Sequence, residues 1–159
     1  MSDAKISLRG AREEDAYALW LWANDEQTRK ASFGRPPIPW SEHRRWLHGV
    51  LHGEDTILLV AEIPESRPVG SVRFNTADGW CSVRLSYVLA PEARGLGLSR
   101  GVVEGGVDHL RARHPNAHVW AEVLSDNEPS LRVFRGSAWM EEHTSFGSRF
   151  SLSTLGTVR

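Results

Sequence analysis

Apolar and polar positions along the chain switch between two rhythms. Val83, Leu85, Tyr87 and Leu89 alternate with Arg84, Ser86 and Val88, the period of a strand. Val102, Val103, Val107 and Leu110 then recur at helical spacing. The same reading predicts strands over 5–9, 56–63, 69–75, 80–89 and 118–124, with two closing strands near 140–143 and 149–152. Helices are predicted over 13–23, with an acidic first turn at 12–15, and over 42–52, 97–113 and 129–135. Ser41 reads as the N-cap of the second helix, whose apolar stripe is Trp46, Leu47, Val50 and Leu51. A Gly- and Pro-rich loop over 34–39 and a turn over 77–79 separate these elements. Helices between strands on a mixed sheet make an α/β-type domain.

The segment from Pro91 to Gly101 carries the strongest chemical signal. Gly95 and Gly97 stand between a strand and a helix, where the backbone can approach a ligand closely. Free N–H groups there, backed by the helix dipole, suit a phosphate. Glycine turns before helices are also ordinary punctuation, so the pattern alone does not decide. A dinucleotide fingerprint wants a third glycine where Arg100 stands, and an acidic residue about 20 positions on. Glu122 lies too far into the following strand for that role. A nucleotide P-loop needs a lysine, and none follows Lys30.

Composition narrows the class. The 159 residues suit one domain with a sizeable core, over 1–159. A net charge of −1 argues against a protein that mainly grips nucleic acid. The single cysteine, Cys81, excludes an internal disulfide and a cysteine cluster, so a reducing cytoplasm is expected and the thiol is read as buried and inert. The first residues lack an apolar signal region, and the longest apolar run, 57–63, is too short for a bilayer. His48 and His52 are four apart, yet no glutamate follows His48 and no third ligand is evident, so no metal is expected.

Arg94-Gly95-Leu96-Gly97-Leu98-Ser99 resembles the Gln/Arg-x-x-Gly-x-Gly/Ala signature of the GNAT superfamily of acyl-CoA-dependent N-acyltransferases. Ser99 departs from it, being small and suited to a helix start. A second element follows in register: Ala121-Glu122-Val123, then Asn127-x-x-Ser130-x-x-x-Phe134, then Ala138-Trp139. The resemblance runs from about 6 to about 150. It implies a mostly antiparallel sheet of about seven strands flanked by helices, and acetyl-CoA as co-substrate. It also implies that the backbone of Tyr87, Val88 and Leu89 holds the pantetheine arm like an added strand. By the same resemblance Arg94, Gly95, Leu96, Gly97, Leu98, Ser99 and Arg100 meet the pyrophosphate, with Asn127, Ser130 and Phe134 along the arm. Backbone contacts are favoured over the Arg94 and Arg100 side chains, since arginines near helix starts are usually solvated.

Acyl transfer to an amine needs a proton acceptor, a site for the developing oxyanion and a leaving thiolate. Glu122 is the expected base, against the alternative of a salt-bridged strand glutamate. Phe134 stands where the family often has tyrosine and has no hydroxyl to donate. A thiol has a pKa of about 8.5, so water, Ser130 or Tyr87 suffices as proton source. Asn127 is read either as a contact to the coenzyme or as a helix cap.

The N-terminal third, from Trp22 to Leu47, resembles the branch that acetylates nucleotide-linked amino sugars, and a broader branch that modifies ribosomal proteins. Arg29 or Arg35 would clamp a diphosphate, and Trp40 and His43 would face the acceptor. The alternative places Trp20, Trp22 and Trp46 in the core or on an amphipathic helix. The expected function is acetyl transfer to a small primary amine, foremost an amino-sugar nucleotide. Acetylation of a protein N-terminus or an aminoglycoside is the alternative, and a non-catalytic acyl-CoA sensor the alternative from another class. No nucleic-acid or membrane partner is expected; a homodimer is allowed.

Overall fold

The structure is a computed structural model that describes residues 5–34, 36–136 and 138–152. A short strand β1 (Ser7–Gly10) leads through a 3-10 turn (Glu13–Asp15) into α1 (Ala16–Asn24), α2 (Glu26–Lys30) and α3 (Trp40–His52). The strands β2 (Thr56–Ile63), β3 (Arg67–Thr76) and β4 (Ser82–Leu89) follow as a meander. Then come α4 (Ser99–Arg113), β5 (His118–Leu124), α5 (Glu128–Arg135), β6 (Met140–His143) and β7 (Gly147–Leu152). The seven-stranded sheet has the order β1-β2-β3-β4-β5-β7-β6.

One junction in the sheet matters most. β4 and β5 are parallel, as a crossover through α4 requires, while the other neighbours are antiparallel. They pair only from Ser82↔His118 to Arg84↔Trp120. Beyond that point β4 runs on to Leu89 along β3 and β5 to Leu124 along β7 without pairing to each other, so the sheet splits. α4 begins beyond the far end of β4, and α5 follows β5.

The apolar faces explain why these segments hold together. Val72 and Phe74 on β3 are fully buried with Val102, Val103 and Leu110 of α4. Gly106 lets the helix come this close: a Cβ there would sit 2.8 Å from Val72 Cγ1. On the far side of the split, the rings of Phe134 and Phe150 stack at 5.1 Å. Arg9 ties the N-terminal strand down, donating to both oxygens of Asp15 at 2.8 Å and to Glu62 at 2.7 Å.

Several boundaries differ from the sequence reading. The first helix ends at Asn24, within a residue of the expected end, but its first three residues form a 3-10 turn. α2 was not expected, and Asp25 starts it with an extended backbone and a carboxylate that accepts from Thr28 N at 3.2 Å. α3 begins one residue before Ser41; Pro39 occupies the cap position, and its carbonyl accepts from His43 N at 3.0 Å. β4 starts at Ser82 because Gly79 and Trp80 both take positive φ, 68° and 74°. That turn leaves Cys81 exposed, so the expected burial of its thiol is corrected. No helix among the described residues is long and apolar enough to cross a membrane.

Candidate active site

The split between β4 and β5 opens onto three adjoining cavities of about 490, 370 and 380 Å³, and Tyr87 lines all of them. One lies between the glycine turn, β4 and the start of α5, lined by Val88, Leu89, Gly95, Ser99, Asn127 and Ser130. A second is bounded by the splayed strands and Phe134, and a third by α1, α3 and β3.

The glycine turn has the conformation its sequence demands. Gly95 and Gly97 hold φ of 75° and 73°, where an L side chain is strained, and nothing lies within 4 Å of either Cβ position. Leu98 is buried and anchors the turn, while Leu96 is 60% exposed. The first intrahelical bond of α4 is Val102 N to Leu98 O at 3.0 Å, and the N–H groups ahead of it are free by helix geometry to meet an anion. The arginines are placed differently. Arg94 donates to Asp25 Oδ2 at 2.5 Å, Thr28 Oγ1 at 3.0 Å and Gln27 Oε1 at 3.2 Å. It therefore fastens the turn to α2. Arg100 lies over Gly136, at the C-terminal end of α5.

Tyr87 and Ser130 span the split, with Oη to Oγ at 2.9 Å. Burial pushes the Tyr87 phenol up, and its hydrogen bonds with Ser130 and Ser99 only partly offset this. The phenol therefore stays protonated and remains a donor at neutral pH. Asn127 caps α5 by accepting from Ser130 N at 3.4 Å. Phe134 is buried, edge-on to Tyr87 at 6.2 Å and to Trp139 at 5.0 Å.

Glu122 lies in the second cavity and is held by two guanidiniums, Arg149 at 3.4 Å and Arg84 at 3.8 Å. The pairing follows from register, since Arg84 stands beside Trp120 and Glu122 beside Arg149 on one face of the sheet. Sequence reasoning missed Arg73, Arg84 and Arg149. The signal was available in the strand alternation, because Arg73 lies between the buried Val72 and Phe74 and so faces the cavities.

The expected acceptor residues separate. Arg29 lines two cavities, but its donors go to Ala23 O at 2.5 Å and Gly34 O at 2.6 Å. It staples the loop after α2, and burial pushes its pKa down. His43 lines the largest of these three cavities, 3% exposed, and its Nε2–H donates to Ala16 O at 2.9 Å. Burial lowers its pKa and the carbonyl only partly restores it. Trp40 packs against Trp20 at 5.3 Å and lines none of the three cavities; Arg35 lies outside the described residues. Away from the split, Glu13 provides the third group that the His48 and His52 pair had lacked. The ligand atoms of all three lie within 4.8 Å of one another, each on an exposed side chain.

A strand pair that parts after three residues and a left-handed glycine turn leading into the helix beside it frame the site. Over residues 5–137 the chain matches the family model described as the Acetyltransferase (GNAT) domain, and it belongs to that family. It is an N-acetyltransferase of the GNAT type. Spermidine N-acetyltransferase from Vibrio cholerae, in complex with CoA and spermine, is similar in fold. It is 17% identical with a TM-score of 0.86, over 96% of this chain and 97% of that one. A domain from Methanocaldococcus jannaschii gives 18% and 0.80, over 95% and 99%. A dodecameric structure of the Vibrio cholerae enzyme in an intermediate state gives 16% and 0.76, over 96% and 95%. A search of curated proteins by sequence found no match.

Proposed function

We propose that the chain moves an acetyl group from acetyl-CoA to the primary amine of a small acceptor, in one step with both substrates bound. The observation that carries this reading is the Tyr87–Ser130 contact at the mouth of the split, beside a β4 edge that no strand covers. Acetyl-CoA supplies an activated acyl thioester. Tyr87, Val88 and Leu89 pair with β3 on one side, and the open edge of this stretch on the β5 side offers strand-like donors and acceptors to its arm. The N–H groups from Gly95 to Arg100 receive the pyrophosphate, and the side chain of Asn127 orients the start of α5. Phe134, backed by the buried Phe150 ring, closes the apolar end of the neighbouring cavity beside Tyr87.

The reaction forms a C–N bond and breaks a C–S bond, releasing a proton from the ammonium and a thiolate from the coenzyme. Glu122 collects the proton, directly or through a water molecule, and the Tyr87 phenol returns one to sulfur. Tyr87 thus fills the role that Phe134 lacks, which argues against a cleft that only senses acyl-CoA. No covalent enzyme intermediate is required, because the amine attacks the thioester itself. An amino-sugar nucleotide remains the acceptor we favour over a protein N-terminus or an aminoglycoside. Its support is the cationic lining of the second cavity rather than the tryptophans expected to stack on it.

Calorimetry with acetyl-CoA, followed by thiol release over an amine panel, tests the reading. Saturable binding and amine-dependent release are expected. Binding without release for any amine would leave a sensor.

A further inference from the structure

The wall of the second cavity carries more positive charge than the chain places against it. Among the described residues lining it are three arginines, Arg29, Arg73 and Arg84, and one carboxylate, Glu122. Arg149 also reaches that carboxylate, at 3.4 Å. Arg29 is occupied by backbone carbonyls. Arg73 has no such outlet. Its Nε is buried with no hydrogen-bond partner, and its guanidinium lies over the Trp46 ring at 5.5 Å. Arg84 lies over Phe33 and Trp120, at 5.9 and 5.6 Å, and touches Glu122 only at 3.8 Å.

A guanidinium over an aromatic ring spends its face, and leaves its in-plane N–H donors for an oxyanion. Burial, and then the nearby charge of Arg84, push the Arg73 pKa down, so its positive charge is held at a cost that an anion would relieve. Glu42 also lines the neighbouring cavity that Arg73 reaches, with an exposed side chain, and makes no ion pair with Arg73.

We infer that the acceptor carries an oxyanion, phosphate or carboxylate, on the same molecule as its amine, and that Arg73 together with Arg84 binds it. The inference rests on the acetyl-transfer reading above and specifies its acceptor. A linear polyamine would bring positive charge to this wall and be repelled by it, whereas a phosphorylated or carboxylated amine is drawn in with its amine directed toward Glu122.

The test uses the full chain saturated with CoA, so that the glycine turn is already filled. Inorganic phosphate and spermidine are titrated separately while tryptophan fluorescence is followed, since Trp46 and Trp120 lie beside the two arginines. Phosphate is expected to give a saturable change that Arg73→Gln weakens about tenfold, the loss of one charge-assisted contact. Arg84→Gln, at a side chain 43% exposed, should weaken it similarly and keeps the test valid if the buried variant fails to fold. CoA binding by calorimetry should be unchanged in either variant. A saturable response to spermidine, no response to phosphate, or phosphate binding undiminished in the folded variants would overturn the inference. Failure of the wild type to bind CoA would instead remove the acetyl-transfer reading, a separate result.

Discussion

Asp25 and Arg94 join across 69 positions of sequence, with Nη2 to Oδ2 at 2.5 Å, and so couple the cap of α2 to the glycine turn. Burial pushes the Asp25 carboxyl up, but the hydrogen bonds from Arg94 and Thr28 outweigh it and hold it below the usual aspartate value. The pair therefore remains ionised through the physiological range and fixes the entrance to α4.

Removing that link should loosen the turn more than it unfolds the protein. Asp25→Ala is expected to cost about 1 kcal/mol of stability, because the pair keeps some contact with water, with side chains 28% and 22% exposed, and the cap of α2 is lost as well. The same variant should raise the KM for acetyl-CoA several-fold with little change in kcat. Thermal unfolding and steady-state kinetics check this. An unchanged KM would mean that the turn holds its shape without α2.

Tyr87→Phe removes the hydroxyl but keeps the ring that meets Phe134. If the phenol protonates the leaving sulfur, kcat should fall roughly 100-fold, the lower edge of the usual range for a lost general acid. Acetyl-CoA affinity should hardly move. Ser130→Ala keeps the phenol and should cost much less. Equal losses in both variants would point to a structural hydrogen bond instead.

Glu122→Gln separates a base from an ionic anchor. A carboxylate that collects the ammonium proton matters most when protons are abundant, so the loss of rate should be greatest on the acid side of the profile. An anchor for Arg84 and Arg149 would lower the rate evenly at every pH and reduce the melting temperature. The pH–rate profile and a melting curve decide between them.

His43 makes a stability prediction with a defined sign. Its folded pKa is lowered, burial being the main cause, so the unfolded chain binds a proton more readily. Stability contributed by the neutral ring is complete above the unfolded value of about 6.5 and declines as the pH falls below it. Melting temperatures from pH 7.5 to 5.5 should show this decline in the wild type and a flatter line in His43→Gln. Parallel slopes would show that the acid sensitivity arises elsewhere.

Much of this arrangement was legible from residue order. Strand alternation around Tyr87, helical spacing after Ser99 and the two glycines placed the turn where it lies, because backbone preferences are local properties. The short helix α2 after Asp25 and the start of β4 at Ser82 were missed, since each is set by a side-chain cap or a turn conformation rather than by apolar periodicity.

Local pattern therefore determined the strands, most of the helices and the glycine turn, each carried by neighbours within one or two turns of chain, and two motifs in register pointed to the family. Tertiary structure alone decided what each charged side chain does. Arg94 and Arg29 became internal fasteners, Arg73 was left without a hydrogen bond at Nε, and Tyr87 met Ser130. The physical reason is that a charge acts on whatever stands a few ångströms away in space. Which residues those are depends on register and on where β4 and β5 part.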